Sequence, residues 1–339
     1  MIKRIKEFIL LADMKRWLLV LLPVLILLVQ LVLMFYYDHL PERFSVKSAA
    51  ATHAAENGSD LVTGYTTANT LREVASRLLT KRGGFLTNDV TPPSTIMDNV
   101  PNWEFGVIEQ IRDLSLALRN DHSRSQTQSA EDPALVIAHP RFNNDTEDWM
   151  FPRAETRYQE GIDALEDYLQ RLADPTEPDA QFYARADNLG QWLDTVSKRL
   201  GSLSERLSAS VAEERVNTDL SGDPAATQAT RTTRSMTVRT PWLDIDDVFF
   251  EARGAAWALL HFLEAVEVDF ERVLDKKNAM PSLRQIQRHL EATQDRMWSP
   301  MVLNGTGFAL FANHSLVMAS YLSRANAAVI DLRDLLAQG

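Results

Sequence analysis

The chain of 339 residues contains no cysteine. Disulfides, thiolate nucleophiles and cysteine-ligated metals are therefore excluded. It has only 13 glycines and 14 prolines, and few alternating β-branched runs, which argues against a sheet protein. The seven histidines are His39, His53, His122, His139, His261, His289 and His314. No two lie three or four apart, so no zinc-protease spacing exists, and neither a metal nor a cofactor is expected. There is no glycine-rich phosphate loop and no nucleophile elbow. Lys81-Arg82-Gly83-Gly84 follows a helical pattern instead of opening one, so it reads as a helix stop. Basic charge is scarce too. The net charge is −11, and the first 16 residues hold five basic side chains against two acidic ones, so the rest is more acidic still. Such a body does not suit general nucleic-acid binding.

What is present is globular in composition: 45% hydrophobic and 24% charged residues. Residues 1–16 read as a basic, amphipathic helix, with Ile2, Ile5, Phe8 and Ile9 on one face, or equally as a basic flank of the span that follows. Residues 17–37 carry no charge and match the ~20 residues needed to cross a bilayer. Trp17 and the pair Tyr36-Tyr37 sit where interfacial aromatics sit. A cleaved signal peptide is the rival reading, but its apolar core is usually ~7–15 residues. A retained single-pass anchor in a bacterial inner membrane is expected, with the basic N-terminus cytoplasmic and the rest periplasmic. Residues 38–64 are small and polar and read as a tether.

Beyond them the pattern is helical. From Pro178 to about Val211 the apolar positions are Phe182, Ala186, Leu189, Leu193, Val196, Leu200, Leu203 and Leu207. Steps of four and three make one narrow seam, and this stretch reads as the central helix. Its predicted length is on the order of 50 Å. Asp174 to Pro178 is a compact reversal, which predicts an antiparallel hairpin with the helix ending near Ala173. The same steps recur from Ile245 through Leu263 to Val273, and again from Phe311 to Leu336. Leu200 and Leu263 are expected in the core. Residues 138–151 read as irregular and 216–240 as a flexible loop. The fold class is all-α: an N-terminal single transmembrane helix, then a mostly antiparallel periplasmic helical bundle with long heptad-patterned helices over 65–339. A parallel coiled-coil oligomer is the alternative use of such heptads.

Three groups of residues are candidate sites. Glu104 lies between Trp103 and Phe105 at a helix start, and partial burial there would raise its pKa as a general acid for glycan cleavage. The plainer reading is a glutamate stabilised by the helix dipole. The seam of Val107, Ile111, Leu114 and Leu118 continues in register as Asp121, Ser125, Gln128 and Asp132. A straight helix would make these a polar layer in the core, with Arg124 and Arg185 as counter-charges. The alternative is that the helix ends near Asp121. Arg231, Arg234 and Arg239 form a local basic patch, a weak site for an anionic envelope polymer or lipid.

Several longer stretches carry a resemblance. They are Thr80-Lys81-Arg82-Gly83-Gly84-Phe85, the run from Met97 to Gly106, Arg119 to Gln126, Phe182 to Leu189, Trp298 to Gly305, and Ala312 to Met318. Together they resemble domain-of-unknown-function family 2333, uncharacterised proteins of Gram-negative bacteria. The resemblance implies a bacterial inner-membrane protein and supplies no catalytic residues. The expected role is a scaffold or accessory factor binding an envelope protein partner. An envelope hydrolase using Glu104 and an anion-binding module are the rivals.

Overall fold

The computed structural model describes residues 2–125, 130–176, 179–211, 213–216, 235–299, 301–305 and 311–338. Their regular elements are helices apart from one short ribbon, in which strand β1 (Glu213–Val216) pairs antiparallel with β2 (Ser235–Val238). The expected loop at 216–240 is therefore bounded by paired strands, and residues 217–234 lie outside the described residues.

Helix α1 runs unbroken from Ile2 to Tyr37, and its stretch Leu19–Tyr37 is long and apolar enough to cross a membrane. Residues 38–64 differ from the expected tether. Helix α2 (Val46–Glu56) packs there on α3 (Tyr65–Thr80) and on α8 (Ile245–Asp269). Just before α2, Phe44 stacks on His261 at 4.2 Å, and Arg43 pairs with Glu264 at 2.6 Å and Glu291 at 3.2 Å. Ser45 caps α2 by accepting from the Ser48 amide. Its alanine-rich sequence has no wide apolar stripe, so periodicity did not reveal it.

Helix α4 (Asn99–Ala117) ends in a π turn over Leu118–His122. Helix α5 (Pro133–Phe142) follows, with α6 (Ala154–Leu172) after it. Residues 138–151 are expected to be irregular, and no helix is expected to start at Pro133. In fact Asp132 accepts from the Ala134 and Leu135 amides and Pro133 occupies the first turn, a start signal. Helix α6 packs on α5 and α3, whereas α7 (Ala186–Ser208) packs on α11 (His314–Ala337) and α4, so the hairpin expected of α6 and α7 does not form. Helix α7 also starts later than expected. Residues 181–185 are not helical, and Phe182 reaches back to stack on His122 and to sit against Gly64. Gly64 has φ +92°, and a Cβ there would meet the Phe182 ring at 2.1 Å. At 23 residues, α7 is about 35 Å long.

The centre of the body is α8 rather than α7. Every residue from Gly254 to Leu263 is buried, and α8 packs against α2, α3, α4, α7, α10 (Met280–Ala292) and α11. A helix apolar on all faces belongs inside, whereas α7 buries one stripe only. Gly106 and Gly254 bring α4 and α8 into backbone contact. A Cβ at Gly106 would lie 2.0 Å from the Glu251 carbonyl, and one at Gly254 would lie 2.0 Å from the Trp103 carbonyl. The short α9 (Glu271–Lys276) interrupts the seam expected to run on to Val273. Along α7 and α11, Asp194 meets Arg333, Ser197 meets Asn326 and Ser204 meets Ala319, so these two helices run in opposite directions. Leu200 and Leu263 are both buried.

Candidate functional site

Two regions gather four of the six motif segments, while the segments that begin at Arg119 and Phe182 meet elsewhere through His122 and Phe182. The first lies where α1 meets the body. After α3, Gly83 (φ +87°) and Gly84 (φ +75°) turn the chain back, a conformation glycine adopts without strain. The turn brings Lys81 to Glu104 of α4, with Nζ 2.6 Å from Oε1. The Lys81 side chain is 2% exposed and that of Glu104 0%. The Glu104 carboxylate also accepts from the Leu86 amide (2.9 Å), the Thr87 amide (2.9 Å) and the Thr87 hydroxyl (2.5 Å). Lys81 donates further to the Gly84 carbonyl at 2.6 Å. Burial pushes the Glu104 carboxyl above its ordinary pKa, and Lys81 and the other donors pull it back. A carboxylate enclosed by four donating groups has no path to a substrate. Its role in this geometry is to clamp the 81–87 loop onto α4.

The last turn of α1 seats on this clamp. A Cβ at Gly83 would lie 2.7 Å from the Tyr37 ring, and the Arg82 guanidinium sits 5.4 Å from the centre of the Tyr36 ring. His39, Glu42, Arg77, Thr80 and Arg82 surround a depression of about 340 Å³ beside it. On another side, Met34, Phe35 and Asp38 share a second depression, of about 220 Å³, with Ile96 to Asn99.

The second region is a groove of about 440 Å³ between α8, α10 and α11. Phe249, Met318 and Tyr321 supply apolar walls, and Trp298, 85% exposed, stands at the edge with Arg296 stacked on it at 4.7 Å. Arg253 is anchored below by donating to the Gln294 (2.9 Å) and Asp295 (3.0 Å) carbonyls. The motif residues around it mainly build the wall. Asn313 caps α11 through the Leu316 amide and donates to the Gly305 carbonyl, while Ser315 donates to Asn304. His314 Nδ1 accepts from the Leu303 amide at 3.1 Å, which fixes the proton on Nε2.

Those of the expected polar-layer residues that are described do not share one face, because α4 widens into the π turn and stops at His122. Asp121 is half-buried and offers its carbonyl to Asn188, Arg124 is half-buried, and Ser125 is exposed. Gln128 lies outside the described residues. Asp132 is buried, but its carboxylate caps α5 and takes a bidentate pair from Arg171 of α6, both contacts 2.9 Å. Arg185 is exposed, pairs with Asp187 at 2.7 Å and donates to the Ser125 carbonyl. Arg231 and Arg234 lie outside the described residues, and Arg239 is exposed beyond β2. Among the described residues, no three His, Asp or Glu side chains converge to hold a metal ion.

Sequence reading missed the Lys81–Glu104 pair, Trp298 and Ile96. The first had a signal: a lysine and a glutamate in two separate motifs, one of them at a glycine stop. No curated protein and no solved structure matches the chain. Its family is nonetheless plain: over residues 11–339 it matches the model of domain-of-unknown-function family 2333, described as an uncharacterized protein conserved in bacteria, and it belongs to that family.

Proposed function

We propose that this chain is a single-pass inner-membrane protein whose body is a mostly antiparallel helical bundle in the periplasm. There it serves as a scaffold or accessory factor that binds other envelope components. The observation that carries this reading is the seating of Tyr36 and Tyr37 on Arg82 and Gly83. A leader destined for cleavage gains nothing from packing on the mature body, whereas a retained anchor does. The basic first 16 residues support a cytoplasmic N-terminus. The enclosed Glu104 carboxylate favours a scaffold over a hydrolase.

Two measurements test this. A reporter enzyme active only outside the cytoplasm, fused after Gly339, is expected to be active, and mass spectrometry of the mature protein is expected to find α1 intact. An inactive fusion or a cleaved body overturns the topology. In complementation of a deletion strain, Glu104→Gln with an unchanged melting profile is expected to restore function. Loss of function with the fold intact would restore the hydrolase reading.

A further inference from the structure

Ile96 is an exposed apolar side chain on a turn whose neighbours are anchored in the body. It closes a 3-10 turn, Ser94–Ile96, in which the Ile96 amide donates to the Pro93 carbonyl and the Met97 amide to the Ser94 carbonyl, each at 3.0 Å. Pro93 and Ser94 before it and Val100 after it are buried. Ile96 itself is 64% exposed. The turn cannot fold it inward without uprooting these neighbours.

Its position supplies the occupant. Ile96 and Met97 share one depression with Met34 and Phe35, which belong to the apolar stretch of α1. Met34 lies three residues before the end of that stretch, about 4.5 Å along the helix axis. The turn therefore stands level with the last apolar turn of the anchor, where hydrocarbon gives way to headgroups. Arg82, exposed and stacked on Tyr36, adds a cation at the same level.

We propose that this end of the body lies in the membrane interface, with Ile96 and Met97 inserted among the lipids beside Phe35 and Arg82 facing lipid phosphate. The inference rests on the reading that α1 is a retained anchor. It makes the body a surface-bound domain of fixed height and orientation, rather than one swinging on a leash.

The absence of cysteine makes the test clean, because a single introduced thiol is the only labelling site. Full-length protein with Ile96→Cys, Leu28→Cys or Lys198→Cys carries an environment-sensitive dye in vesicles of phosphatidylethanolamine and phosphatidylglycerol. Some of the lipids bear a nitroxide quencher, placed at headgroup depth to read the Ile96 and Lys198 labels and on the acyl chain near the bilayer centre to read the Leu28 label, since Leu28 lies midway along the Leu19–Tyr37 stretch. Lys198 is exposed on α7, next in sequence to Arg199, which pairs with Asp113 deep in α4. The Ile96 and Leu28 labels are expected to be quenched by lipid-borne nitroxide several-fold more than the Lys198 label. Quenching at Leu28 but not at Ile96 overturns this inference and leaves the anchor standing. Quenching at neither overturns both. Ile96→Asp in the Leu28→Cys background is the companion. It is expected to leave Leu28 quenching unchanged, and α-helical circular dichroism checks that the body stays folded. With Arg82→Gln added to Ile96→Cys, Ile96 quenching is expected to fall, and no change removes Arg82 from the proposed contact.

Discussion

Lys81 and Glu104 form an ion pair closed off from water, joining the end of α3 to the first turns of α4. Removing one member strands the other. Lys81→Met is expected to cost roughly 3–5 kcal/mol at pH 7, because the buried Glu104 carboxylate loses the cation it is paired with. The double change with Glu104→Gln should lose less than Lys81→Met alone. The pH dependence has a definite sign. Burial raises the carboxyl pKa, so the folded form accepts a proton more readily than the unfolded chain. The Lys81→Met penalty should therefore be largest at neutral pH and shrink as pH falls. Thermal melts of the detergent-solubilised protein across pH check this. A penalty independent of pH would mean that the loss is of packing rather than charge.

The contact of α4 with α8 depends on two missing Cβ atoms. Gly106→Ala or Gly254→Ala forces a methyl into a backbone carbonyl at 2.0 Å, and neither helix can yield without separating from the other. A loss of about 3 kcal/mol or more is expected, at the upper end for overpacking. Gly190→Ala is the control. It lies in α7 with open space around its Cβ direction, and should gain about 1 kcal/mol from helix propensity. Chemical denaturation of the three variants checks the ordering. A neutral Gly106→Ala would mean that the helices are not in backbone contact.

Asp132 and Arg171 join α5 to α6. Arg171→Ala should cost roughly 3 kcal/mol, since it leaves a buried carboxylate held among the described residues by the α5 amides alone. Arg185→Ala is expected to change stability by less than about 1 kcal/mol, because that exposed pair is screened by solvent. The contrast separates the two arginines, and equal losses would contradict the geometry.

How much of this was legible varied with the physics of each segment. The seam of α7 was plain because one apolar stripe faced the body and the rest faced water: Leu189, Leu193, Val196, Leu200 and Leu207 are all buried. The centrality of α8 was hidden. Its seam looked the same, but burial of its other faces rests on Gly254, Ala255 and Ala258, which a seam search does not weigh. Asp121 to Asp132 followed the register of α4 on paper. A π turn shifts that register, and Asp132 instead opens a new helix at Pro133. The Lys81–Glu104 clamp and the seating of Tyr37 on Gly83 join parts of the chain that no local pattern connects.

His261 and His122 make stability fall with acid. Both are buried, and burial depresses each pKa to about 4 from an ordinary 6.5. His261 Nδ1 faces the Trp257 carbonyl at 2.7 Å and Nε2 accepts from the Phe44 amide at 3.2 Å, so the neutral ring carries its proton on Nδ1. The unfolded chain takes up protons between pH 6.5 and about 4 that the fold refuses. This contribution is therefore complete above pH 6.5 and is lost as pH falls toward 4. The full shift corresponds to roughly 3 kcal/mol per histidine as an upper bound. His261→Gln should flatten the slope of stability against pH in that window. An unchanged slope would show that His261 does not couple to folding.

Asp247 acts in the opposite sense. Burial first, then Asp98, Asp246, Asp244 and Glu251, raise its pKa from 3.8 to about 6. The folded carboxyl holds a proton that the unfolded one releases, so its charge opposes folding above pH 6 and the penalty disappears as pH falls below 4. Asn102 donates to its Oδ1 at 2.7 Å, and an asparagine at 247 keeps an oxygen in that place. Asp247→Asn is therefore expected to stabilise the protein at pH 7.5. The side chain is half-exposed, so solvent screening reduces the gain to about 1 kcal/mol. The gain should vanish near pH 4, where the native carboxyl is already protonated in the fold. Melting temperatures of wild type and variant at the two pH values decide it. A gain that persists undiminished at pH 4 would trace to hydrogen bonding rather than charge, and a loss at pH 7.5 would mean that the carboxylate is held by a favourable partner.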